Sequence, residues 1–148
     1  MKNNVNSVKI TLWANRFVAL LLAVLLFTMP LVLDWYCQYR VLTEVERVAI
    51  IAAFYCCAVV VAVALWNMEK MLVSIGNGDV FTLENVRRLR AVQWCCGGTG
   101  LICVPATFCY YPLVFMVIIM GFLFLVISVV SQVMDAAVSI REENDLTI

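Results

Sequence analysis

The chain has 148 residues, of which 65% are hydrophobic and 14% charged. A soluble domain carries about 25% charged residues, so the composition argues against a water-soluble globule. The charges cancel to a formal net of zero. That leaves no bulk basic field, and no direct nucleic-acid contact is expected.

Four apolar stretches follow one another, near residues 18–33, 48–66, 92–108 and 113–133. Each approaches the ~20 residues that cross a hydrocarbon layer about 30 Å thick. A backbone crossing lipid must satisfy its own hydrogen bonds, which selects helices. The expected fold is an all-α integral membrane protein with four transmembrane helices in an up-down bundle. Its spans are expected near 14–34, 46–67, 91–109 and 112–134, with a helix 2–3 hairpin over 68–90 and a tail over 135–148. No Pro-, Gly- or Ser-rich linker divides residues 1–148, so a single domain is expected.

Lys2, Lys9 and Arg16 precede or open the first stretch. Such a start also suits a secretory signal. The run is longer than a signal core, and Met29-Pro30-Leu31-Val32-Leu33-Asp34 offers no Ala-x-Ala site. A retained helix is therefore expected.

The second helix opens at Thr43-Glu44-Val45-Glu46, where Thr43 and Glu46 have capping-box spacing. Apolar residues continue past the lipid limit through Met68, Met71, Leu72 and Ile75. A helix from Glu44 to Ile75 would be about 48 Å long, with Gly76 as the left-handed residue that ends it. After the turn at Gly76-Asn77-Gly78-Asp79, Thr82 suits an N-cap and Glu84 suits the positive end of a helix dipole. Phe81 and Val86 hold the positions of a hydrophobic staple.

Helix 3 begins with Arg87, Arg88 and Arg90. These arginines could hold anionic lipid heads, dock the acidic tail Glu142-Glu143-Asn144-Asp145, or simply retain the segment in the cytoplasm; all three readings stay open. Gly97, Gly98 and Gly100 form a small-residue run, and Ala49, Ala53 and Cys57 form a stripe at four-residue spacing on helix 2. Small residues admit a neighbouring backbone. A short hairpin makes helices 2 and 3 neighbours, so packing between them is favoured over packing between protomers.

Seven cysteines and no histidine are present. Adjacent Cys56-Cys57 and Cys95-Cys96 diverge by about 100° on a helix, and no Cys-x-x-Cys spacing occurs. No metal and no cofactor are expected; free cysteine packs as a small hydrophobe. Cys37 and Cys109 share one side, which leaves a disulfide open. On helix 4, Asp135 ends a polar run with Ser128, Ser131 and Gln132. Pairing with Lys70, Arg87 or Arg90 near the inner headgroups is favoured over an ion relay, because the span centres carry no further charge.

Basic residues are retained in the cytoplasm. Of the ten Lys and Arg, only Arg40 and Arg47 fall on the side of the first and third turns. Trp13, Trp66 and Trp94 mark the opposite ends, and Trp35, Tyr36, Tyr39, Tyr110 and Tyr111 mark the outer ones. Both termini and the hairpin are expected in the cytoplasm.

The stretch Ile75-Gly76-Asn77-Gly78-Asp79-Val80-Phe81-Thr82-Leu83-Glu84-Asn85-Val86-Arg87-Arg88-Leu89-Arg90 and the ending Glu142-Glu143-Asn144-Asp145-Leu146-Thr147-Ile148 resemble a bacterial family of small four-helix membrane proteins. It is catalogued as domain-of-unknown-function family 2975. The motifs cover about a sixth of the chain, and the four-span layout matches along its length. The resemblance implies a multi-pass protein of a bacterial plasma or inner membrane. It also implies a regulatory partnership with a helix-turn-helix transcription regulator encoded nearby. It supplies no catalytic residues, and the cysteine-rich third helix lies outside its pattern.

A non-enzymatic regulatory or interaction protein is the favoured reading. Its contact surface would be Phe81, Thr82, Glu84, Asn85, Arg87, Arg88, Arg90, Glu142, Glu143, Asn144 and Asp145. The alternative is a small transporter or channel, formed as a homo-oligomer and lined by Thr99, Ser128, Ser131 and Gln132. An enzyme is the weakest reading, since no nucleophile–base pair or paired intramembrane acids occur.

Overall fold

The computed structural model describes the backbone of residues 2–38, 43–78 and 80–146, and the side chains within these except at 2–7, 142, 145 and 146. Four long helices follow one another: α1 (Lys2–Cys37), α2 (Glu44–Gly76), α3 (Leu83–Cys109) and α4 (Val114–Leu146). A single 3-10 turn, Tyr111–Leu113, joins the last two. All four are long and apolar enough to cross a membrane.

Large apolar side chains stand exposed on all four helices rather than being gathered into one buried stripe. Phe27, Phe108, Phe115 and Phe122 all stand exposed in mid-helix or near a helix end. A helix of this kind offers no single apolar stripe to hide from water.

Neighbours in sequence are neighbours in space, and they run antiparallel. The Asn15 carboxamide of α1 donates to the Leu65 carbonyl of α2 at 3.3 Å, while Arg47 of α2 pairs with Asp34 at the far end of α1. Cys57 of α2 faces Cys103 of α3. Arg90 of α3 pairs with Asp135 of α4 at 3.4 Å.

The up-down order is as expected, but the bundle is not closed. Among the described residues, the backbone of α1 approaches only α2, and that of α4 approaches only α3 and its preceding turn. The helices form an open row with α2 and α3 in the middle. A hydroxyl contact of 2.9 Å between Tyr36 and Tyr110 ties the end of α1 to the end of α3. Closure in water comes from hiding apolar stripes. Helices without a stripe gain little from closing, and close fit at small residues chooses their neighbours instead.

α3 is the least apolar helix and the most enclosed. In its most apolar window 28% of residues are buried, against 6%, 6% and 0% for α1, α2 and α4. Its Thr99, Gly100, Cys103 and Ala106 are buried, together with Val86 and Val92 nearer its start.

Gly97 and Gly100 face α4, not α2 as the hairpin argument suggested. A Cβ at Gly97 would lie 3.1 Å from Phe124 Cδ2, and one at Gly100 would lie 3.5 Å from Met120 Cβ. Gly98 would meet nothing within 4 Å. Two of the three glycines thus seat the bulky side of α4. Toward α2 the small residues in contact are Cys57 and Cys103, while Ala49 and Ala53 are half-buried on α2.

Two termini also differ from expectation. α2 runs through Gly76, and the left-handed residue is Gly78, with φ +98°. α4 continues to Leu146, so most of the expected tail is helix.

Gly97 and Gly98 make a matched pair for testing the α3–α4 seat. Gly97→Val should lower stability in detergent by about 1–3 kcal/mol through overpacking against Phe124. Gly98→Val, with the same change in helix propensity, should leave the unfolding midpoint nearly unchanged. Thermal or denaturant unfolding followed by circular dichroism would check this.

Candidate functional site

The hairpin end between α2 and α3 concentrates the polar chemistry of the chain. It is built around Asn85, which is fully buried. The turn is closed by Asn77, whose N–H donates to the Val73 and Ser74 carbonyls, and by Gly78, whose N–H donates to the Ile75 carbonyl at 3.0 Å. The chain then re-enters helix at Thr82, whose Oγ1 accepts from the Asn85 N–H at 3.3 Å. The Asn85 carboxamide reaches back and donates to the Val80 carbonyl at 3.2 Å. One short side chain therefore ties the first turn of α3 to the loop before it. This is the mechanism by which Asn and Thr favour helix starts over helix interiors.

The expected capping chemistry is present at both helix starts. The Thr43 N–H donates to the Glu46 carboxylate at 2.8 Å. At α3, Val86 is buried, while its expected staple partner Phe81 is 46% exposed.

The residues expected to form a contact surface divide into two groups. Asn85 is internal and cannot touch a partner. Arg88 is also a brace: its side chain is only 19% exposed, it pairs with Glu84, and it donates to the Lys70 carbonyl of α2 at 2.9 Å. Thr82 is half-buried in its cap role. Phe81, Glu84, Arg87 and Arg90 stand outward, with Arg90 held by Asp135. Glu143 and Asn144 are exposed on the last turn of α4. The side chains of Glu142 and Asp145 lie outside the described residues. Leu83, 57% exposed beside Phe81, belongs to the outward group and was not singled out in the sequence. An apolar residue at the first helical position carries no signal by itself.

Asp135 has one of the basic partners expected for it, Arg90. The polar side chains offered for a channel differ in exposure. Thr99 is buried and donates to the Cys95 carbonyl, Ser131 is buried, and Gln132 is exposed and donates to Ser128.

Cys37 and Cys109 are both free thiols. The close cysteine pair is Cys57 and Cys103, with sulfurs 3.7 Å apart between α2 and α3. Hairpin symmetry could have found it, since a hairpin folded about residue 80 sets 57 opposite 103. No group of three or more metal-ligating side chains occurs among the described residues.

Fold and hairpin together define a class: an all-helical protein whose four helices are each long and apolar enough to cross a membrane. A family model described as protein of unknown function (DUF2975) matches residues 4–148, and the chain belongs to that family. No curated protein and no solved structure matches it.

Two outcomes follow from this geometry. Asn85→Ala leaves the Val80 carbonyl without its donor, at a cost of about 1–3 kcal/mol. Limited proteolysis should then cut the 76–82 turn faster, whereas Arg87→Ala should not change the rate. Copper-phenanthroline treatment should join Cys57 to Cys103 within one chain, because their sulfurs already stand 3.7 Å apart and a disulfide needs them at about 2.05 Å. Peptide mapping after alkylation would identify the bond.

Proposed function

We propose that this chain is a multi-pass protein of a bacterial plasma membrane, with both termini and the α2–α3 hairpin in the cytoplasm. Its role is that of a non-enzymatic interaction protein. The observation that carries the reading is an outward pair, Phe81 and Leu83, set at the most charged end of the molecule on a turn pinned by buried Asn85. Large apolar side chains exposed on an ordered, wet segment are the usual anchors of a protein contact. Arg87 and Arg90 frame them and favour a partner with acidic rim groups.

Spacing supports the membrane part of the reading. Trp13 and Trp35 stand about 33 Å apart along α1, and Arg47 and Trp66 about 28 Å apart along α2, at about 1.5 Å per residue. A hydrocarbon layer is about 30 Å thick, with aromatic and basic residues at its edges. Charge supports the orientation. Arg16, Lys70, Arg87, Arg88, Arg90 and Arg141 lie toward the hairpin end, while among the described residues Arg47 alone of the Lys and Arg lies at the other.

The partner implied by the family resemblance is a helix-turn-helix transcription regulator, which the hairpin would hold at the membrane. Phe81→Asp combined with Leu83→Asp should abolish its co-purification with the detergent-solubilised chain and change transcription of its target. Membrane fractionation of the variant should stay unchanged. Retained co-purification would overturn the partner surface. Orientation is checked separately with a cysteine-free chain. An impermeant maleimide should reach Gln38→Cys in intact cells and Phe81→Cys only in inverted vesicles.

A further inference from the structure

We propose that the groove at the root of the hairpin is a binding site for one bilayer phospholipid with a primary-ammonium headgroup. The proposal rests on the membrane reading above and adds a ligand to it.

The groove has a volume of about 470 Å³ and lies between the last turns of α2 and the first turns of α3. Trp66, Glu69, Lys70, Asn77, Glu84 and Arg88 line it. Its two cations and two carboxylates balance, so the site matches a ligand that carries both signs. An anionic headgroup would gain Lys70 but would meet the exposed Glu84 carboxylate as well.

Each charge has a distinct state. Arg88 is committed to Glu84 and to the Lys70 carbonyl, and Glu69 is committed to Arg16 at 2.9 Å. The Lys70 ammonium sits over the Trp66 ring, 5.2 Å from its centroid, with no carboxylate in ion-pair range among the described residues. It is the cation available to a phosphate. Glu84 gives Oε1 to Arg88, but its side chain is 70% exposed, so its second carboxylate oxygen can accept from an ammonium. A primary ammonium donates three hydrogen bonds, whereas a trimethylammonium donates none. The Trp66 ring that would attract a trimethylammonium is already taken by Lys70.

The apolar half of the ligand also has a place. A second groove, lined by Leu26, Tyr55, Ala58, Val59, Ala62 and Val63, meets the first at Trp66. Its α2 members recur every three or four residues and so continue the face of α2 that carries Trp66, Glu69 and Lys70. It is almost wholly apolar and runs toward the opposite end of the molecule, where an acyl chain would lie. Charged lining above and apolar lining below, joined at a tryptophan, reproduce the order of a phospholipid from head to tail.

The test uses tryptophan quenching by lipids brominated on the acyl chain. The full chain is reconstituted with Trp66 as its single tryptophan (Trp13→Phe, Trp35→Phe, Trp94→Phe). A companion keeps Trp35 alone, at the far end of α1. Brominated phosphatidylethanolamine, phosphatidylcholine and phosphatidylglycerol are compared at low mole fraction in a common host bilayer. Phosphatidylethanolamine should associate at Trp66 about threefold or more strongly than the other two, with no preference at Trp35. Lys70→Ala with Glu84→Gln should remove the preference while leaving Trp35 quenching intact. Equal quenching of Trp66 by all three lipids, or a preference for phosphatidylglycerol, overturns the site while quenched Trp35 preserves the membrane reading. No quenching of either tryptophan overturns both.

Discussion

Close fit around α3 is the constraint on which the rest of the arrangement depends. Among the described residues its backbone meets α2 on one flank and α4 on the other, and each flank is made of small groups. Cys103 meets Cys57 toward α2, and Gly97 and Gly100 admit Phe124 and Met120 from α4. The T-shaped contact of Trp94 with Phe124 continues the α4 seat toward the hairpin. Dispersion between fitted surfaces is weak per atom and large in sum. It becomes the chief source of order where hiding apolar area from water no longer discriminates between neighbours. α1 meets α2 closely at Gly76, where a Cβ would lie 3.4 Å from Val8 Cγ1. It is held to α2 by polar ties spread along its length, at Asn15, Arg16, Asp34 and the Tyr55 hydroxyl, which reaches the Leu26 carbonyl.

The hairpin end depends on a different interaction, the buried amide of Asn85. Exposed ion pairs such as Arg90–Asp135 contribute under about 1 kcal/mol each, so they orient rather than hold. A fully buried carboxamide that bridges loop and helix sets the direction in which α3 leaves the turn. Phe81 and Leu83 are outward because Asn85 and Val86 are inward on the same first turn. The groove at the hairpin root shares that frame, since Arg88 follows Asn85 by three residues and reaches across to α2.

Much of the fold was legible in the sequence. The apolar runs locate four helices because length and hydropathy act locally. The caps at Thr43 and Thr82 were legible because a capping side chain bonds only a few residues away. A basic partner for Asp135 could be expected because Lys70, Arg87 and Arg90 stand at the same end. The contact surface was legible only in outline. Asn85 and Arg88 look like surface residues by type, yet both turn inward, since burial is decided by which flank of α3 meets α2. The Cys57–Cys103 pair was missed because spacing rules for cysteine address metal and turn motifs, not register across a hairpin.

The amino-acid order alone determined the number of helices, their antiparallel order, their caps and the concentration of charge at one end. Each of these depends on residues close together in the chain. Tertiary structure decided that the row stays open, that Gly97 and Gly100 serve α4 rather than α2, and that Lys70, Trp66 and Glu84 line one groove. Those outcomes depend on the rotation of each helix about its own axis. A helix whose large apolar side chains are not gathered into one stripe does not announce that rotation, so only the fit between side chains fixes it.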